Sequence, residues 1–256
     1  MMKVMGTIQR KGGNGKSTSS ENLAAAFTEL GKRVLLIDTD DQRNASGSIP
    51  TKQPVRYTVE DLLLNDRLTV DEAAEPALWE GVHLIAGSGN LSAAAGELDR
   101  KDESHYILRD KLESVSGLYD ICIIDTSPSL NILTVNAMCA SHGLFIPLSS
   151  NYYSLEGLAQ TLEAYRKVRN GLHHNLVVYG MAFVIHDGRS RLANEVKEKV
   201  KEQYPFFLCE TAIGQNIKIE EAQVKKQSIL SYAPYDRGAV QYRALACELA
   251  VRMALL

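Results

Sequence analysis

The densest chemistry in the chain lies in Arg10-Lys11-Gly12-Gly13-Asn14-Gly15-Lys16-Ser17-Thr18. Glycines let backbone N–H groups converge on phosphate oxygens without a Cβ in the way. A helix that begins at the end of such a loop adds its positive dipole end and its free N–H donors. Within that frame Lys16 can reach β- and γ-phosphates, and the Ser17 hydroxyl is placed to ligate Mg²⁺. The strict phosphate-loop pattern asks for glycine five residues before Gly15. Arg10 stands there instead, and a second lysine, Lys11, precedes the glycine pair.

Two carboxylate sites fit this cradle. Ile121-Cys122-Ile123-Ile124-Asp125 is an apolar run ending in an acid, which puts a carboxylate at the C-terminal edge of a buried strand. Ligands bind at that edge in open α/β sheets, and an acid there holds Mg²⁺ through water. The second site follows Val34-Leu35-Leu36-Ile37 and reads Asp38-Thr39-Asp40-Asp41-Gln42-Arg43-Asn44. Its acids can hold a metal or orient a water, and one or two of them are read as merely solvated.

The elements that must position these residues alternate along the chain. Continuous apolar runs predict strands at Lys3–Gln9, Val34–Asp38, His83–Ala86, Ile121–Asp125, Leu144–Leu148 and Val177–Ile185. Helical spacing joins Leu23, Phe27 and Leu30 over Ser17–Leu30, with Gly31 at the C-cap. It also joins Leu155, Leu158, Leu162, Tyr165 and Val168; Leu192, Val196 and Val200; and, from about Ala239, Tyr242, Leu245, Leu249, Met253 and Leu256. Between strands, Val59–Leu64 and Val70–Ala74 are short helical segments in the least regular stretch, 41–80. The expected class is α/β: a mostly parallel twisted sheet with helices on both faces. No linker or repeat divides the chain, so one domain over 1–256 is expected.

Composition narrows the options further. The chain has 256 residues, 28 Lys+Arg against 31 Asp+Glu and a 45% hydrophobic share, which excludes disordered, collagen-like and disulfide-scaffold classes. The opening Met1-Met2-Lys3-Val4 lacks an apolar run after its charge, against a secretory signal. The longest apolar stretch, Leu176 to Ile185, is far short of the roughly 20 residues a bilayer span needs. Cys122, Cys139, Cys209 and Cys247 make no CxxC pair, so reduced, mostly packed thiols are expected rather than a metal site. Residues 189–256 carry a net charge of +3 and the remainder −6. A polyanion would be better received by the C-terminal third.

At these motifs the chain resembles the deviant Walker A ATPases of the ParA/MinD family. Lys11-Gly-Gly-Asn-Gly-Lys-Ser17, Asp38-Thr-Asp-Asp-Gln-Arg-Asn44 and Tyr119-Asp-Ile-Cys-Ile-Ile-Asp125 look like its Walker A, switch and Walker B elements. Ser127-Pro-Ser-Leu130, Asn151-Tyr-Tyr-Ser-Leu-Glu-Gly-Leu158, Asp187-Gly-Arg-Ser-Arg-Leu192 and Ser231-Tyr-Ala-Pro-Tyr-Asp-Arg-Gly238 resemble its ParA branch, in the short form without an N-terminal DNA-reading domain. The resemblance implies a P-loop fold that binds ATP and Mg²⁺ and hydrolyses ATP weakly. It implies that Lys11 reaches across an ATP-sandwiched homodimer to the partner's phosphates, that Asp40 positions the hydrolytic water and that Asp125 is the Walker B acid. Residues 11–18 would bind nucleotide, and Asn216 would line the adenine pocket. Nonspecific DNA binding would fall to Arg189 and Lys218, with Arg191, Lys225, Lys226, Arg237 and Arg243 as further candidates. A ParB-like centromere-binding partner, a cytoplasmic, nucleoid-associated location and no membrane partner complete the expectation. The chain departs from the family pattern at Asp41, Ser127, Gly214 and Gln215.

Rival readings are a MinD-like membrane-cycling regulator and an ATPase that positions protein cargo. The first class carries a basic amphipathic tail, whereas Ala250–Leu256 has one charge, Arg252, and continues the last helix. Metabolic relatives such as the nitrogenase iron protein need paired cysteines, and protein-tyrosine kinase relatives end in a tyrosine cluster; neither feature is present.

Overall fold

The computed structural model describes residues 2–151 and 153–256, with only the backbone of Tyr153. The pair Tyr152-Tyr153 of the ParA-like motif thus lies outside what is described in side-chain detail. Seven strands form one sheet: β1 (Lys3–Thr7), β2 (Val34–Thr39), β3 (Glu75–Pro76), β4 (Val82–Ile85), β5 (Ile121–Thr126), β6 (Gly143–Ser149) and β7 (Val177–Ile185). Their order is β3-β4-β2-β5-β1-β6-β7. Every pairing is parallel except β3 with β4, so the α/β expectation holds. The antiparallel edge strand had no signal of its own, because Glu75 and Pro76 form neither an apolar run nor an alternation.

The helices are α1 (Lys16–Glu29), α2 (Asn44–Ser48), α3 (Val59–Leu64), α4 (Val70–Ala73), α5 (Leu91–Leu98), α6 (Ile107–Glu113), α7 (Ile132–Ala140), α8 (Tyr153–Gly171), α9 (Arg191–Gln203), α10 (Ile217–Val224), α11 (Ile229–Tyr232) and α12 (Arg237–Arg252). They cover both faces, and strand periodicity decides which face each residue joins. Met5, Leu36 and Ile123 pack with Phe27 of α1 and Leu245 of α12. Their neighbours Val4, Leu35, Ile37, Cys122 and Ile124 pack on the other face with Leu62, Leu108 and Leu133.

α1 is the helix that matters most for the site, and its end is well specified. Gly31 takes a positive φ of 74°, and Lys32 N and Gly31 N donate to Phe27 O and Thr28 O. Those two bonds close a Schellman motif that satisfies the last carbonyls of the helix.

Three sequence expectations need correction. β1 ends at Thr7, two residues before Gln9. Leu192 is 53% exposed, because the buried stripe of α9 is Ala193, Val196 and Val200. Leu256 is 64% exposed, since α12 stops at Arg252 and the stripe ends with the buried Met253. The three cysteines Cys122, Cys139 and Cys209 are buried and Cys247 is exposed, all as free thiols.

Gly143 opens β6 with no room for a side chain. A Cβ there would lie 2.7 Å from the Tyr179 ring. Gly143→Ala is expected to cost about 1–3 kcal/mol through overpacking, read as a lowered urea midpoint with an unchanged slope.

Candidate functional site

The site forms where β1, β2 and β5 end beneath the N-terminus of α1. In register, Asp38 pairs with Asp125 and Thr7 pairs with Asp125, so all three side chains share the face under α1. The row is tied laterally: Thr39 Oγ1 donates to Asp125 O and Thr126 Oγ1 to Thr7 O, each at 2.8 Å. These bonds fix the strand ends, and hence the acids, relative to the loop that follows β1.

That loop runs from Ile8 to Gly15. Gly13 and Gly15 take φ of 74° and 69°, a region that favours glycine. At Gly15 a Cβ would also lie 2.9 Å from Val184 Cγ2. Asn14 is buried and accepts from Ser149 Oγ at 2.7 Å, which pins the loop to the end of β6. Lys11 passes over α8, where a Cβ on Gly157 would stand 2.9 Å from Lys11 Cβ, and its Nζ lies 3.4 Å from Asn151 Oδ1.

Gly12, Gly13, Gly15, Lys16, Ser17, Thr18 and Asp40 line one cavity of about 400 Å³. Asp125 lies under it, fully buried. Ser20 Oγ donates to Asp125 Oδ1 at 2.9 Å, while Oδ2 has no hydrogen-bond partner among the described residues. Burial, reinforced by Asp38, pushes the Asp125 carboxyl up to about 7, against the pull of the Ser17 hydroxyl, then of Lys16 and Ser20. Lys16 is itself buried, which pulls its amine down, while Asp125 and Asp40 push it up. A buried carboxylate oxygen without a donor, beside a serine hydroxyl and an open glycine cradle, is a donor set that could hold a divalent cation near a bound phosphate. Because folding raises the Asp125 pKa, the ligand-free protein loses stability from this group as pH rises from about 4 to 7.

The acidic switch segment divides into three roles. Asp38 is buried and its oxygens accept from Asp40 N, Ser46 N and Ser46 Oγ; it shapes the turn. Asp40 is 3% exposed and reaches the cavity, its Oδ1 accepting from Gln42 N at 3.0 Å. Burial raises its pKa and Lys16 lowers it. Asp41 is exposed. Arg43 closes the turn at a positive φ of 53°, a strained position for a residue with a Cβ.

A smaller cavity of about 120 Å³ adjoins the first, lined by Val184, Ile185, Gly214, Asn216 and Tyr242 among others. Asn216 caps α10: its Oδ1 accepts from Lys218 N, and its Nδ2 donates to Asp236. Gln223 lines both cavities, and Glu21 lies buried behind it. Sequence reading missed both. Glu21 sits in a helix where an acid reads as solvent-facing, and Gln223 belongs to no motif.

The basic candidates do not form one class. Arg243 is bound to Glu29, with Nη2 to Oε1 at 2.9 Å, and to Pro234 O. Lys218 pairs with Asp236 at 3.2 Å and Arg191 with Glu195 at 2.9 Å. The Arg237 guanidinium packs on Gly214. Arg189, Lys225 and Lys226 are exposed and make no ion pair among the described residues. A separate cavity of about 780 Å³ lies at Trp79, Lys225 and Lys226, away from the phosphate loop.

Comparison with known proteins agrees with this geometry. The family model of the AAA domain matches residues 2–178. The sporulation initiation inhibitor protein Soj of Bacillus subtilis is 37% identical over 251 residues, covering 98% of this chain and 99% of Soj. The chromosome partitioning protein ParA of Caulobacter vibrioides is 34% identical over 254 residues, covering 98% of this chain and 95% of its own. Among solved structures, cobyrinic acid a,c-diamide synthase from Mycobacterium smegmatis with bound ADP and magnesium superposes with a TM-score of 0.82 at 26% identity, over 96% of this chain and 93% of that one. By its cradle, its near full-length relatives and its sheet, the chain belongs to the ParA/MinD family of P-loop ATPases, on the ParA branch.

Proposed function

We propose that the chain, acting as a single nucleotide-binding domain over 1–256, is a DNA partition ATPase: it binds MgATP, closes into a sandwich dimer that holds DNA without reading its sequence, and lets go on hydrolysis. The observation that carries this reading is the buried, donor-less Asp125 Oδ2 beneath the glycine cradle and Lys16. Ser17 would hold Mg²⁺ directly and Asp125 through water; the bound cation supplies charge neutralisation at the phosphates. Lys16 positions the β- and γ-phosphates, and the loop N–H groups fix their orientation. Asp40 orients the attacking water from a site already screened from solvent. Lys11, outside the cavity lining, belongs to the dimer contact across the triphosphate. Asn216 and the small cavity suit the adenine.

DNA affinity then follows from charge counting. A few exposed Lys/Arg per subunit, with Arg189, Lys225 and Lys226 foremost, give weak phosphate contacts. Dimerisation places two sets on one surface, so avidity follows the nucleotide state. A ParB-like centromere-binding partner would raise the hydrolysis rate, and association with the nucleoid would follow from the DNA contacts. Among the described residues no helix is long and apolar enough to cross a membrane. One apolar face of α12 packs into the core through Tyr242, Leu245 and Leu249, followed by the buried Met253.

DNA retention with ATP, with ADP and without nucleotide, over a salt series, tests the reading. The expected result is retention with ATP alone, weakening steeply with salt. Equal retention in all three states overturns it. Lys11→Ala is expected to bind ATP with little change yet stay monomeric and lose ATP-dependent retention; a dimer of normal stability in that variant reassigns Lys11.

A further inference from the structure

The phosphate-side and base-side cavities share three residues, Gly15, Thr18 and Gln223. A nucleotide with its phosphates in the first and its base in the second must carry its sugar past all three. Gly15 offers no side chain, which leaves the Thr18 hydroxyl and the Gln223 amide. Gln223 Nε2 donates to Thr18 Oγ1 at 3.0 Å and to Glu21 Oε2 at 3.2 Å. An amide nitrogen carries two hydrogens, so both are used and the carbonyl Oε1 is the group left to face the cavities.

Glu21 makes that orientation specific. It is 1% exposed, and its Oε1 has no hydrogen-bond partner among the described residues. Glu21 Oε2 and Thr18 Oγ1 accept the two Gln223 N–H bonds, which turns the amide nitrogen inward and its oxygen outward. An acceptor at the sugar position recognises a hydroxyl donor.

We infer that Gln223, held in orientation by Glu21, accepts a hydrogen bond from a sugar hydroxyl of the bound nucleotide and so selects ribonucleoside over deoxyribonucleoside triphosphates. The inference rests on the MgATP reading and deepens it. Gln223 is the specificity-determining residue, and Glu21 is a positioning residue that acts through it.

Equilibrium binding of ATP, 2′-deoxy-ATP and 3′-deoxy-ATP to the full chain tests this, with Lys16→Ala as the control that binds none. Wild type is expected to prefer ATP over at least one deoxy analogue by roughly three- to tenfold, the worth of one such bond. Gln223→Ala should bring ATP down to the level of that analogue while hardly changing the analogue itself. Glu21→Ala should shrink the ratio, and Glu21→Gln, which keeps an acceptor for the amide, should restore it. The ratio is insensitive to a partly unfolded sample, because inactive protein binds neither nucleotide. Equal affinities in wild type, or a full preference retained in Gln223→Ala, overturn the inference alone. A wild type that binds no ATP overturns the nucleotide reading and this inference together.

Discussion

Replacing Lys16 with alanine is expected to abolish measurable ATP binding, raising the dissociation constant by at least about 100-fold. Lys16 is 7% exposed, and the charges of Asp125 and Asp40 act on its amine. Charge-assisted bonds of such an amine to β- and γ-phosphate are worth roughly 1.5–3 kcal/mol each. Its removal also leaves Asp40 and Asp125 without their neighbouring cation, so a triphosphate entering the cavity meets a more negative site. Titration calorimetry reads the loss directly. Circular dichroism at the same pH separates it from unfolding, since a folded variant keeps its helical signal. Retention of wild-type affinity would mean that the cradle takes something other than a triphosphate.

The second large effect is expected at Asp40. Asp40→Ala should bind ATP and accumulate the ATP-bound dimer while turnover falls by about 10²–10⁴-fold, the range for losing a positioned general base. The carboxylate is 3% exposed and held by Gln42 N, so it has little freedom to serve any group outside the cavity. Asp38, two residues earlier, is disqualified by its own commitments to Asp40 N and to Ser46. Single-turnover hydrolysis separates chemistry from product release. An unchanged rate in Asp40→Ala would move the water-positioning role elsewhere in the cavity.

Much of this arrangement was legible in the sequence because its parts are local. Gly13, Gly15, Lys16 and Ser17 lie between a buried strand and an amphipathic helix, and chain order alone brings them together. Asp125 was legible because four apolar residues precede it and mark the strand edge. The division of labour among Asp38, Asp40 and Asp41 was legible only through the family resemblance, which singled out Asp40; the residue pattern alone left it open, because all three follow the same strand and the turn through Arg43 decides which one faces the cavity. Glu21 and Gln223 were invisible for a different reason: they are 202 residues apart, and their link depends on α10 folding back over α1. The basic residues show the same limit from the other side. Arg243 and Arg189 look alike in the sequence, yet Glu29 claims one and leaves the other exposed. The segment 41–80 hid α2 and β3, each too short for any period to register.

The central claim is that the glycine loop takes a triphosphate and that nucleotide brings two chains together. Multi-angle light scattering of the full chain with Mg²⁺ and a slowly hydrolysed ATP analogue tests it most directly. The expected mass is twice 28.2 kDa with the analogue and 28.2 kDa with ADP. A mass of 28.2 kDa at saturating analogue would contradict it.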